Sequence, residues 1–174
     1  MREVFIIENL IIRKATSQDA KGKGYVHYHS WNETYKGLID QEYLDKRSLE
    51  GCIESAKKFP NNTYVAIVSN KIIGFASYIK ARDEDLNDTG EIMAIYILND
   101  YKGKGIGKQL MNACYNELKS YKSIIVWVLS SNLKTISFYQ HLGFIKDSAQ
   151  KELKVSEKSS LKVIRMILNN THHI

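Results

Sequence analysis

Eight consecutive residues, Tyr101-Lys102-Gly103-Lys104-Gly105-Ile106-Gly107-Lys108, carry the clearest chemistry in this chain. Glycines at alternate positions let an anion approach the main chain closely, and the lysines between them add positive charge. The run follows an apolar stretch of strand type and opens an apolar repeat of helical spacing. At such a junction the first helical N–H groups have no intrahelical partner, and the helix dipole is positive there. The loop therefore reads as a phosphate site. Two familiar phosphate loops do not fit it. Gly103 and Gly107-Lys108 have the Walker spacing, but Gln109 stands where a hydroxyl would hold magnesium. The dinucleotide fingerprint Gly-x-Gly-x-x-Gly lacks its last glycine. The competing reading is a glycine-rich turn on a solvated, lysine-rich surface.

Other reactive side chains are scattered. His27 and His29 stand two apart near a helix start, where packing or surface roles outweigh metal binding, and no metal site is expected. Cys52 and Cys114 are too few for a disulfide framework or a cysteine-rich zinc site and read as buried small hydrophobes. Asp83, Glu84, Asp85 and Asp88 form an acidic loop that would either steer cationic amines or be a solvated turn, the second being the simpler reading.

The elements that must position these residues follow from periodicity. Residues 10–15 read as a first strand, and 19–35 as a helix with Tyr28, Trp31 and Tyr35 on one face, its first turn weakened by Gly22 and Gly24. A second helix is expected over 41–58, before the single proline, Pro60. Runs 64–68 and 72–79 form a hairpin through Ser69-Asn70-Lys71. Residues 92–98 and 124–129 are wholly apolar, the mark of strands covered on both faces. Between them, Ile106, Leu110, Ala113, Cys114, Leu118 and Tyr121 repeat at helical spacing. A short helix over 135–142 ends at Gly143, and strands near 144–154 and 161–168 follow. The strand–helix–strand unit over 91–129 should be a parallel crossover.

The 174 residues suit a single domain over 1–174, with a short tail at 169–174 that holds His172 and His173. Hydrophobic residues at 44% and charged residues at 25% are ordinary for a globular chain, and no apolar run reaches the ~18–20 residues that span a bilayer. A cytoplasmic location without membrane partner is the expectation. The net charge of +6 favours an anionic partner. A nucleic acid is not expected, because no basic stripe with interleaved aromatics accompanies the charge.

With these residues in view, the chain resembles the GNAT superfamily of acyl-CoA-dependent N-acetyltransferases. That family carries Arg/Gln-x-x-Gly-x-Gly/Ala after its fourth strand, and Lys102-Gly103-Lys104-Gly105-Ile106-Gly107 is similar, with lysine first. Ile95 to Tyr101 resembles the strand end that leads into the loop. The stretch from Asn132 through Phe138-Tyr139 to Phe144 resembles the second signature, and Trp31 to Ile39 a stretch common in bacterial members. The likeness spans about 10–168.

The resemblance implies a mixed α/β fold: a mostly antiparallel sheet of six to seven strands, helices on both faces, and a parallel pair, the fourth and fifth strands, that splay apart. It implies acetyl-CoA as co-substrate. Main-chain groups of Ile95 and Ile97 would pair with the pantetheine arm, amides from Lys102 to Lys108 would hold the pyrophosphate, and Asn132 would contact the cofactor. Tyr139 stands where the family places its general acid; the alternative is packing beside Phe138 and Phe144. Glu91, at the start of the buried strand, is a base directly or through water, or an ordinary strand-end carboxylate. Trp31 and Tyr35 line an acceptor pocket or pack their helix on the sheet.

The reaction implied is direct attack of a primary amine, of a small molecule or peptide, on the thioester in a ternary complex. A wider groove would suit protein N-termini or lysines, and a silent acyl-CoA sensor would keep the loop without the chemistry. The acceptor's identity and a homodimeric state stay open.

Overall fold

The computed structural model describes residues 9–154 and 160–170; His172 and His173 lie outside them. The chain enters as β1 (Ile11–Lys14), makes one 3-10 turn over Ser17–Asp19 and continues into α1 (Ala20–Tyr35). Asp19 fixes that entry. Its carboxylate accepts the Thr16 N–H at 2.7 Å and both Arg13 Nη groups at 2.7 and 2.8 Å, which holds its pKa down at about 2.

In place of the single helix expected over 41–58, two form, α2 (Gln41–Asp45) and α3 (Leu49–Lys58). Each begins at its own cap. Asp40 accepts from the Glu42 N–H at 2.9 Å, and Ser48, in extended conformation, accepts from the Gly51 N–H at 3.0 Å. Gly22 and Gly24 do more than weaken α1. A Cβ at Gly24 would stand 2.7 Å from the Ile53 backbone of α3, and one at Gly22 would stand 2.8 Å from Ile72. The glycines give up helix propensity so that α1 can lie directly on its neighbours.

β2 (Thr63–Val68) and β3 (Lys71–Lys80) are joined by Ser69-Asn70, both left-handed at φ 48° and 62°, the geometry of a two-residue primed turn. Then follow β4 (Thr89–Ile97), α4 (Ile106–Leu118), β5 (Ser123–Leu129), α5 (Leu133–His141), β6 (Ile145–Lys154) and β7 (Ser160–Asn169). α4 stops three residues before Tyr121, whose N–H closes a turn on the Leu118 carbonyl. Gly143, at φ 91°, ends α5 as expected.

The sheet has seven strands in the order β1-β2-β3-β4-β5-β7-β6, and β4–β5 is its parallel contact. This is the mixed sheet the resemblance implies. Neighbouring residues of a strand face opposite ways, so its two apolar clusters occupy opposite faces. Ala66, Ile92, Ile124 and Val126 meet Ile106, Leu110, Cys114 and Leu118 of α4. Val65, Ile67 and Phe75 meet Val26 of α1. Both cysteines are buried, and burial pushes the Cys114 thiol up to about 12, in keeping with a packing role.

Candidate active site

β4 and β5 start side by side and do not stay so. Their parallel pairing runs through Thr89–Ser123, Gly90–Ile124 and Glu91–Ile125, whereas β4 continues to Ile97 and β5 to Leu129. The cause lies on the other edge of β4. Opposite β3, Ser77 pairs with Ala94 and Tyr78 with Ile92, so Met93 is an extra residue that bends the strand. Beyond the bulge Leu98 donates its N–H to Ile73 of β3 at 2.9 Å. Backbone direction alternates along a strand, so the main-chain groups of Ile97 and Ile95 face the opened gap. The apolar run 92–98 is therefore covered on both faces only at its start. Ile92 is buried, but Met93 is 48% exposed, and residues 94–98 are half-buried along the gap.

The glycine loop closes one end of this gap. Gly105 caps α4 in left-handed conformation at φ 78°, and no side chain caps the helix. The N–H groups of Ile106, Gly107 and Lys108 consequently have no partner within the helix, with the positive end of its dipole behind them. A Cβ at Gly103 or Gly105 would meet nothing within 4 Å, so these glycines serve backbone conformation and open access. Gly107 is different: its Cβ would stand 3.2 Å from the Phe138 ring, which lets α5 lie close to α4.

The gap widens into a cleft of about 1060 Å³. Ile95, Ile97, Lys102, Gly103, Gly105, Gly107, Lys108, Asn132, Tyr35 and Tyr139 all line it, together with Lys134. Lys104 and Ile106 do not. Lys104 is exposed over the Tyr101 ring at 5.6 Å, and Ile106 turns its side chain into the core at 1% exposure. Asn132 is buried, and its amide oxygen caps α5 by accepting the Thr135 N–H at 3.2 Å. Tyr139 comes from the same helix. Its ring packs between Phe138 and Phe144 at 5.4 and 5.5 Å, and burial pushes its phenol well up, so it stays protonated. Packing and a place at the cleft coincide in this residue.

Trp31 does not line the cleft. It stands one layer behind Tyr35, ring to ring at 4.4 Å, and carries the Arg47 guanidinium at 4.5 Å on its face. The Tyr35 and Tyr96 phenols face each other, and burial raises both.

Glu91 is the last residue of β4 paired with β5, at the apex of the gap. Its side chain is 6% exposed and lies outside the cleft lining. Burial raises its pKa, and Arg82, 3.6 Å away, partly opposes the rise. Nearby, Arg165 is buried between Asp85 (2.6 and 2.8 Å) and Asp147 (2.7 Å), while Asp83 accepts the Trp127 indole N–H at 3.2 Å. Two acids of the 83–88 loop thus serve as internal partners that hold the loop against the sheet. This is neither a free steering patch nor a merely solvated turn.

Sequence reasoning missed Tyr96, Trp127, Phe138 and Ser30 as cleft residues. The signal available for the first two was an aromatic with a polar edge inside an otherwise aliphatic strand. Ser30 carried none. Among the described residues no group of three or more His, Cys, Asp or Glu is placed to hold a metal ion, and no helix is long and apolar enough to cross a membrane.

Three comparisons bear on this arrangement. A B. subtilis protein described as the uncharacterized N-acetyltransferase YuaI is 29% identical over 136 residues, 74% of this chain and 76% of its own length. The B. subtilis spermine/spermidine N(1)-acetyltransferase is 31% identical over 105 residues, 56% of this chain and 68% of that one. Among solved structures, YncA of Salmonella typhimurium, a putative acetyltransferase with its cofactor acetyl-CoA, matches with a TM-score of 0.70 at 20% identity over 96% of this chain and 97% of its own. The PaiA N-acetyltransferase of Thermoplasma acidophilum, in complex with coenzyme A, matches with 0.67 at 21% identity over 90% and 98%. The sequence profile of the acetyltransferase (GNAT) family matches residues 15–144, the span that contains the splayed strands, the glycine loop and Tyr139, and the chain belongs to that family of acyltransferases.

Proposed function

We propose that this protein transfers the acetyl group of acetyl-CoA to a primary amine of a small molecule or peptide, by direct attack in a ternary complex. The observation that carries the reading is the joining of three features in one cleft: an unpaired β4 edge, an α4 N-terminus without a side-chain cap and a buried, protonated Tyr139. Relatives named as spermine and spermidine acetyltransferases support a small amine as acceptor.

The residues fit an acyl-CoA by their donor chemistry. The free N–H groups of 106–108, with Lys102, Lys108 and Lys134, suit a pyrophosphate. The inward main-chain groups of Ile95 and Ile97 suit the amides of a pantetheine arm, laid in as an added strand. Asn132 completes that side. Acetyl-CoA supplies the activated thioester. The β4 main chain at Ile97 donates to the thioester oxygen, where negative charge develops. Tyr139 returns a proton to the leaving sulfur; a buried phenol holds that proton at neutral pH. Glu91, recessed at the apex, acts as base through water, its raised pKa bringing it nearer the working pH. Alignment of amine and thioester supplies much of the rate.

Titration calorimetry with acetyl-CoA, followed by thiol-release assays on an amine panel, tests this reading. Tight binding with turnover is expected, and Gly105→Val should weaken acetyl-CoA roughly 100-fold by straining the left-handed cap. Absence of acetyl-CoA binding by the unaltered protein sinks the proposal. Binding without turnover on a broad panel would favour a sensor.

A further inference from the structure

We propose, building on the acetyltransfer reading, that the acceptor is an amine that also carries a carboxylate, and that Arg47 and the Trp31 indole N–H receive that carboxylate. Five buried side-chain polar atoms of the described residues have no hydrogen-bond partner, and two of them, Trp31 Nε1 and Arg47 Nε, belong to side chains in direct contact. A buried donor without a partner is unfavourable, so two such donors in contact mark a place that the acceptor atoms of a ligand would satisfy. Ser30 lines the cleft, and Trp31 lies against Tyr35 (4.4 Å) and Tyr96 (6.1 Å), which line it too.

The chemistry of the vacant groups specifies the ligand. Arg47 Nε and Trp31 Nε1 are donors only, and the guanidinium lies 4.5 Å over the indole ring. The other partners of Arg47 are the Cys52 Sγ at 3.3 Å and the His27 Nε2 at 3.4 Å; neither is an anion. Burial, with Arg47 and Lys23 nearby, lowers the His27 pKa to about 4, so this imidazole stays neutral and leaves the Arg47 charge uncompensated. A half-buried guanidinium without a carboxylate is a standing demand for one, because its planar fork matches two carboxylate oxygens. In contrast, Arg165, on the same face of the sheet, holds two carboxylates of its own. With the Tyr35 ring displaced, the carboxylate of an amino-acid-like amine would reach this pair from the cleft while its amine stays on the thioester side.

The test uses matched amines that differ only in the carboxylate: lysine against 1,5-diaminopentane, and phenylalanine against phenethylamine. The readout is thiol release from acetyl-CoA. The unaltered protein should prefer the carboxylate-bearing member of each pair by about 10- to 100-fold in kcat/KM, and in Arg47→Ala that ratio should collapse toward one. Arg47→Lys, which keeps the charge but not the fork, should fall between. An activity-free readout separates this inference from the reading beneath it. In amide-correlation spectra with ¹⁵N label, the Trp31 indole signal should shift on titration with phenylalanine and stay in place with phenethylamine, whether or not either is acetylated. If no amine is turned over but that indole signal shifts, the anion site stands and acetyltransfer to these amines falls. If both members of each pair are used equally, or the signal stays in place with phenylalanine, the carboxylate inference is overturned.

Discussion

Across the cleft, α4 presents backbone: the N–H groups of Ile106, Gly107 and Lys108, freed by a glycine cap. On the other side, α1 presents side chains, with Ser30 and Tyr35 in front and Trp31 behind, covered by Arg47 from the turn between α2 and α3. The faces under these helices differ in the same way. Beneath α4 the core is an apolar cluster of Leu110, Cys114, Leu118, Ile124 and Val126, all at 2% exposure or less. On the α1 face Val65, Ile67 and Phe75 share space with His27 and Lys23, and Glu91 and Arg165 are buried farther along the same face. A backbone-built wall recognises what every member of a family binds and tolerates side-chain change. A side-chain wall is where one member can differ from another.

The largest effect should come from Tyr139, which joins the two walls because its ring belongs to the α4 core and its phenol to the cleft. Tyr139→Phe removes one oxygen and keeps the packing between Phe138 and Phe144. Steady-state kinetics should show kcat lowered about 10²–10³-fold with acetyl-CoA affinity nearly retained. If acetyl-CoA affinity falls as far as kcat, Tyr139 is scaffold and the division between the walls is misplaced. Burial also sets the alkaline limit: because the Tyr139 pKa is raised, activity should not be lost to phenol ionisation as pH rises through 10.

A smaller effect tests whether the α1 wall depends on close approach. Gly24→Ala drives a methyl group to 2.7 Å from the Ile53 backbone, and backbone yields less readily than a side-chain tip. Overpacking of this kind costs about 1–3 kcal/mol, a fall of about 2–12 °C in Tm for a chain of this size. The displaced α1 should raise KM for the amine more than KM for acetyl-CoA. Equal change in both constants would mean that the walls do not move independently. Gly37→Ala, where nothing lies within 4 Å, separates backbone strain at φ 77° from this contact.

The same division explains what could be read from the residues beforehand. The glycine loop, the parallel pair and the seven-strand sheet follow from local signals, since Gly103, Gly105 and Gly107 alternate at a strand–helix junction and the runs at 92–98 and 124–129 are plainly β. The break at 46–48 escaped notice because Ser48 caps α3 from inside a helical pattern. The bulge at Met93 escaped because one unpaired residue leaves no mark in an apolar run. Arg47 was invisible for a deeper reason. Its placement on Trp31 joins residues 16 apart in the chain through the packing of α3 on α1, and only the fold brings them together. The recession of Glu91 from the cleft has the same origin, since which way a strand-end carboxylate points is set by register, and register is not a local property.

The finest test of the comparison is a titration of stability. His27 packs against Phe75 (6.0 Å) and Tyr96 (5.2 Å) on the polar face, and its pKa near 4 lies below the value of about 6.5 it has when unfolded. Between these values the unfolded chain holds a proton that the folded chain refuses. Stability contributed by this site is therefore full above about pH 6.5, declines as pH falls toward 4, and levels off below that. Denaturant unfolding of His27→Gln should show less acid loss in that window, by on the order of 1–3 kcal/mol. Asp19 works at a different pH. Its pKa of about 2, held down by Arg13, contributes stability that is present above about pH 4 and lost as pH falls toward 2. A His27→Gln protein that keeps the whole decline between pH 6.5 and 4 would show that the α1 face is as insensitive to charge as the apolar core beneath α4, and the contrast between the walls would then rest on geometry alone.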